Sequence, residues 1–349
     1  MKTQSHAKPL DYFFLISTTI FVALGSIGIF TELFLLLGTA SFIIALGYKL
    51  LLKGGIEFPK NYIFYIIFLL TLLVHTYFYK GKFLFFWLFL SGGMLWLQVH
   101  NFKEIFSQYL TSILIILGAL MGILYFYSLS NPIVLPNLVS LFARTTSLIK
   151  HSNIGDLWAI VLIPTFYILI KNKSKIYIPL IFIGIYFLTV SYSRAAIVSL
   201  FVGIIYLFKN DLSKKNFRKM LGVLFVVLIV LFMYFGLYKT TLLSRPYFLQ
   251  AVVGLFKYPL GTGVGNFSLV SYDSNLTHNI FLEILSGMGA FSIFFFIWIY
   301  KILKSLFTDK NPNPQVAAIL LAVLADFCFN TTYTIPGFIW IWFICLALI

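Results

Sequence analysis

An all-α polytopic membrane protein is the fold the sequence predicts, and three observations predict it. Of the 349 residues, 61% are hydrophobic and only 10% charged. The mean hydropathy is +0.99. Apolar runs long enough to cross a bilayer recur from Tyr12 to the last residue, where about 20 residues suffice to span a hydrocarbon core of about 30 Å. Backbone polar groups in lipid have to be satisfied within their own segment, so these spans are expected to be helices. The alternating ten-residue pattern of an outer-membrane barrel is missing.

Taken in order, the apolar runs predict about twelve transmembrane helices within a single integral domain, residues 1-349. The first, 12 to 30, follows the basic start of "MKTQSHAKPLDYFFLIS". That start lacks a small-residue cleavage site and reads as a first span, not a removed signal. Spans at 32 to 52, 61 to 79, 83 to 99 and 105 to 129 follow, then 154 to 170. A hairpin covers 176 to 190 and 195 to 208, because the apolar stretch from Ile176 to Phe208 is too long for one span and too short for two full ones. Spans at 219 to 238, 279 to 300, 314 to 332 and 335 to 349 complete the set. Cys328 and Cys345 fall in apolar segments and suggest neither a disulfide nor a metal site.

The net charge of +15 would suit nucleic acid, but the basic residues are scattered through short loops instead of gathered on a soluble face. Topology explains them. With both ends cytoplasmic, most Lys and Arg lie inside, led by "KNKSK" and "KNDLSKKNFRK", as the positive-inside rule requires; Lys80 and Lys82 go against it.

This topology leaves three outward segments with most of the residues that could do chemistry. The stretch from 131 to 156 holds Arg144, Lys150 and His151; "SYSRAA", 191 to 196, holds Arg194; the long loop 239-278 holds Arg245, Lys257 and His278. Each half of the hairpin would reach roughly 22 Å against a core of about 30 Å, so its turn should be recessed and carry Arg194 with it. An Arg at mid-bilayer costs about 2.5 to 3.5 kcal/mol on insertion scales. It should therefore face a polar cavity or a bound anion, or else snorkel to headgroup phosphates.

In the long loop, "SRPYFLQAVVGLFKYPLGTGVGNF" reads as Ser244 and Arg245 at a helix entrance, Pro246 in the first turn, a short interfacial helix, and a stop at Pro259 and Gly261. An Arg beside a helix amino terminus opposes the helix dipole until an anion binds there. A phosphate or diphosphate would satisfy both; a lipid-headgroup anchor is the alternative. "GTGVGNF" lacks the Lys-Ser/Thr of a Walker motif and no buried strand precedes it, so a nucleotide fold is not expected. Its glycines would let the backbone turn tightly under a substrate or against another loop.

His278 opens "HNIFLEILSGMG". With an unperturbed pKa near 6.5, its imidazole could accept a proton from a sugar hydroxyl without a permanent buried charge; otherwise it caps the next helix. His151 is a weaker candidate for the same role, and His6, His75 and His100 are bystanders. Glu283 and Asp326 are carboxylates within spans, which are rare and often functional. Glu283 either tunes His278 or is a neutral, hydrogen-bonded core residue. With no Asp-x-Asp and no His-x-x-x-His, a metal is not indicated.

In this order, "SYSRAA", "R...GLFKYPLGTGVGNF" and "HNIFLEILSGMG" resemble the O-antigen ligase and polymerase superfamily of bacterial envelope glycosyltransferases. The resemblance covers roughly residues 150 to 349 and is strongest from Arg245 to Gly289. It implies transfer of a glycan from undecaprenyl diphosphate to an acceptor on the periplasmic face of the inner membrane, with no cofactor, metal or nucleotide sugar. Arg194 and Arg245 would hold the diphosphate. His278 would activate the acceptor hydroxyl for an in-line, inverting attack, with Asn279 and Glu283 in support. The amino-terminal half matches no motif. Ligase and polymerase share this core and differ in acceptor, lipid A-core for one and a lipid-linked repeat for the other. The compact loop and the outward cations Arg144, Lys150 and Lys257 lean to the ligase. A flippase for lipid-linked sugars would also need a dozen spans and outward cations, though such transporters tend to show internal repeats.

Overall fold

The structure is a computed structural model and describes residues 9–26, 31–52, 54–130, 151–209, 222, 247–270, 276–308 and 313–349. Among them the chain is helical, with short 3-10 turns and no strand. The helices are α1 (Pro9–Ser26), α2 (Thr31–Leu52), α3 (Tyr62–Phe78), α4 (Phe83–Asn101), α5 (Lys103–Ser130), α6 (His151–Lys171), α7 (Ile178–Ser191), α8 (Arg194–Leu207), α9 (Tyr247–Lys257), α10 (Ile280–Met288), α11 (Ile293–Thr308), α12 (Pro314–Phe327) and α13 (Pro336–Leu348). Six stretches of the described residues are long and apolar enough to cross a membrane: Pro9–Ser26, Thr31–Leu52, Phe83–Asn101, Lys103–Tyr127, Asn153–Lys171 and Ile280–Thr308. The chain is thus an all-α protein of multi-pass membrane character. Outward-facing apolar side chains such as Phe13, Ile16 and Ile20 on α1 and Ile43 and Ile44 on α2 suit a lipid solvent, where in water such a belt would drive association.

Most helix ends fall within a few residues of the apolar boundaries. The segment predicted as one span from 279 to 300 differs. It is α10, a 3-10 turn at Gly289–Ser292 and then α11, which runs on to Thr308. Gly289 has φ +55 and a Cβ there would lie 2.3 Å from the Pro259 carbonyl oxygen, so the backbone bends where another loop presses on it. Beyond residue 300, Ile302 and Leu306 are buried and prolong the helix past the span. The segment 314 to 332 stops being α-helical at Phe327, and a 3-10 turn follows at Thr331–Thr334. The predicted span 219 to 238 lies outside the described residues.

α13 is the hub of the core, with all its residues from Pro336 to Leu348 buried and α1, α4, α5 and α12 packed around it. Only 13 residues long, it rises about 20 Å; a helix apolar all round belongs inside the bundle. Small residues let it approach its neighbours. A Cβ on Gly25 or Gly38 would stand 2.8 or 2.6 Å from the Trp340 ring, and one on Gly92 would stand 2.2 Å from Phe343. Trp340 donates from Nε1 to Ser91 Oγ at 2.9 Å. Beside this seam Tyr65, Phe68, Trp96, Trp298 and Phe343 form one aromatic cluster, with Phe68 stacked on Trp298 at 5.7 Å and Trp298 on Phe343 at 6.0 Å.

Candidate functional site

The break predicted within 176 to 208 is present, as two helices that each pack on α6 rather than along one another. α7 ends at Ser191, Tyr192 takes a left-handed conformation with φ 50, and Ser193 caps α8 by accepting from the Ala196 N–H. Arg194 is the first residue of α8 and is partly buried. It therefore stands at a helix amino terminus, where the dipole disfavours a cation and favours an anion beside it. α6 comes close to this turn at Gly155, whose Cβ would sit 2.0 Å from Ser191 Oγ. The next residue, Asp156, is fully buried, and its Oδ1 accepts from Ser193 Oγ at 2.5 Å.

α9 confirms the short helix before Pro259. It buries Ala251 and Gly254 against Phe267 and Val270 and leaves Leu249, Val253 and Phe256 exposed, Phe256 at 83%. This exposed apolar stripe at helical spacing is what an interfacial helix presents to acyl chains. Lys257 ends the helix and its ammonium lies over the Tyr258 ring at 5.2 Å.

The glycine loop proves to be a brace against other backbone. Gly261, Gly263 and Gly265 have φ of 90, 88 and 87, a left-handed region that costs other residues strain. The Thr262 and Gly263 amides donate to the carbonyls of Ser286 and Gly287, and the Lys82 amide donates to Val264 O at 2.8 Å. The Gly265 amide donates to Glu283 Oε1 at 2.9 Å. Amides engaged in this way cannot cradle a phosphate, and the loop packs against other backbone. His75 joins the brace by donating from Nε2 to Leu260 O at 2.7 Å. We expect Gly261→Ala, whose methyl would meet Gly287 O at 2.2 Å, to lose at least the ~1–3 kcal/mol of a strained backbone. Thermal unfolding in detergent reads this directly. Gly47→Ala, with nothing within 4 Å of the added carbon, is the control, and equal midpoints for the two variants would refute the brace.

His278 precedes α10 in a left-handed conformation, φ 56, and is partly exposed. It does not cap the helix. Asn279 does, its Oδ1 accepting from the amides of Phe281 and Leu282 at 2.9 and 3.1 Å, while its Nδ2 donates to Cys328 O at 3.0 Å. Among the described residues Asn61, Lys80, Lys173 and Tyr192 share this left-handed backbone, which marks a tight turn. Glu283 is buried, and its oxygens accept from the Gly265 and Thr277 amides, each at 2.9 Å. It pins the glycine loop to the His278 turn, which favours the hydrogen-bonded core role.

Asn279 leads across to the α12–α13 turn. Asn330 donates from Nδ2 to Asp156 Oδ2 at 2.5 Å, and its amide donates to Asp326 O at 2.9 Å. Asp326 is fully buried and hydrogen-bonded through Oδ2 to the Thr332 hydroxyl. On the same turn, burial first and then the nearby Glu283 push the Tyr333 phenol well above its ordinary range, so it stays a neutral hydroxyl.

The neighbours of two predicted principals thus anchor on the same α12–α13 turn: Ser193, before Arg194, reaches Asn330 through Asp156, and Asn279, after His278, reaches Cys328 O. The third, Arg245, lies outside the described residues, as do Arg144 and Lys150. His151 begins α6. Sequence reasoning did not single out Asp156, Ser193, Thr277 or Asn330. For Asp156 a signal existed, a carboxylate at the head of an apolar run. Comparisons with protein-family models, curated proteins and solved structures found no match.

Proposed function

We propose that the protein is an O-antigen ligase-like glycosyltransferase of the bacterial inner membrane. It would have about twelve spans, both termini in the cytoplasm and its active face toward the periplasm. The observation that carries this reading is that the turns of Arg194 and His278 both anchor on the α12–α13 turn, one through Asp156 and Asn330 and the other through Asn279 and Cys328 O. Such a shared anchor gives an anion-binding cation and a proton acceptor a common frame. The order of "SYSRAA", "PLGTGVG" and "HNIF" supports it further.

The donor is a glycan on undecaprenyl diphosphate and the acceptor a hydroxyl of lipid A-core. Arg194 and Arg245 bind the diphosphate and offset the charge that grows on it as the glycosidic C–O bond breaks. His278 takes the proton of the attacking hydroxyl. The new bond forms on the opposite face of the anomeric carbon, which inverts it. Undecaprenyl diphosphate leaves, and the proton passes from the imidazolium to water. The exposed apolar stripe of α9, which carries Lys257 at its end, suits a helix lying at the membrane surface beside a lipid-borne substrate.

Purified protein in liposomes, given lipid-linked glycan and lipid A-core, should form a new glycoconjugate. A single capped product identifies a ligase. A ladder formed from lipid-linked repeats alone identifies a polymerase of the same superfamily. Translocation of the donor with no new bond would replace this reading with a flippase.

A further inference from the structure

We infer that Asp156 is a positioning residue that sets the Arg194 turn and the His278 turn in register; the inference rests on the reading of the site just given. Asp156 is fully buried on α6, where a carboxylate is disfavoured unless its oxygens are hydrogen-bonded. Each oxygen serves a different neighbour. Oδ1 takes the Ser193 hydroxyl at 2.5 Å, and Ser193 is both the cap of α8 and the residue before Arg194. Oδ2 takes the Asn330 amide group at 2.5 Å. Asn330 lies two residues beyond Cys328, whose carbonyl holds the side chain of Asn279, and Asn279 follows His278. Asn330 cannot swing away from this arrangement, because its Oδ1 accepts from the Thr331 amide at 2.8 Å and its own amide is held by Asp326 O. The Asp326 side chain lies beside that of Asp156 and interacts with it.

One carboxylate is therefore the point where three separate segments meet. Toward Ser193 and Asn330 this group has to accept, since both of them donate. Asp156→Asn keeps one acceptor and turns a donor on the other partner. With Oδ1 still toward Ser193, its Nδ2 faces the Asn330 Nδ2. Adding Asn330→Asp restores one donor and one acceptor across that contact and keeps the acceptor for the Thr331 amide.

Transfer kinetics of the purified, full-length protein in liposomes test this, with each rate taken per folded molecule from thermal unfolding in the same membrane. Misplacing reacting groups by about 1 Å costs on the order of 100-fold. Asp156→Asn should accordingly lower kcat by that order and raise the donor KM, and Asp156→Asn/Asn330→Asp should recover most of both. Asn330→Asp alone, which sets carboxylate against carboxylate, should be at least as impaired as Asp156→Asn. A folded Asp156→Asn variant with wild-type kcat and KM would overturn the inference, as would a double variant no better than the single. If the wild type forms no glycoconjugate while the unfolding midpoints of the four proteins still show coupling between 156 and 330, the contact stands and the enzymatic reading fails.

Discussion

His278→Ala should lower transfer about 100- to 10,000-fold, the range typical of a lost general base, while expression and donor binding hold. The structure makes this separation sharp because the neighbours carry the architecture. Asn279 caps α10 and reaches Cys328, and Glu283 pins the adjoining backbone at Thr277; none of these bonds needs the imidazole of His278. The left-handed backbone at 278, φ 56, is the one complication, since Ala resists it. Asn tolerates that region better and offers no base. His278→Asn should therefore be as inactive as His278→Ala and unfold closer to the wild type. Turnover in either variant equal to wild type would remove His278 from the chemistry.

The parts of the fold legible in the sequence were those set by local physics. Apolar run length located most helices to within a few residues, because a bilayer-long apolar segment has few other ways to satisfy its backbone. The break at "SYSR" followed from a length that fitted neither one span nor two, although the two helices pack on α6 and not along one another as a hairpin would. The short helix before Pro259 followed from its punctuation. What the sequence could not convey was pairing at a distance. Asp156 and Asn330 are 174 residues apart, and nothing in the local pattern of either names the other. The break at Gly289 was hidden for the same reason, since its cause is the Pro259–Gly261 loop pressing from outside the segment. Glu283 was correctly noticed as costly within an apolar helix. Its partners, the amides of Gly265 and Thr277, show that a rare carboxylate can be a pin for loops.

Arg194→Lys and Arg245→Lys should each impair transfer through weaker use of the donor, although the charge is kept. A guanidinium offers a planar fork of donors that matches a diphosphate in paired hydrogen bonds; an ammonium is a point charge on a flexible stem. For Arg194 the local geometry adds to this. Ser193 fixes the first turn of α8 by its cap and by its bond to Asp156, so the start of the Arg side chain is held and a shorter-reaching group cannot be made good by shifting the helix. If both arginines grip one diphosphate, the double Lys variant should lose less than the product of the two single effects, as expected for sites coupled through a shared ligand. Headgroup anchors behave otherwise. Snorkelling needs only a charge on a long stem, so Lys would replace either with little loss. Initial transfer rates against undecaprenyl diphosphate-glycan concentration separate the two cases: a rise in donor KM in each single variant, with less than multiplicative loss in the double, supports the clamp, and wild-type curves for both Lys variants would leave lipid anchoring as the role of these side chains.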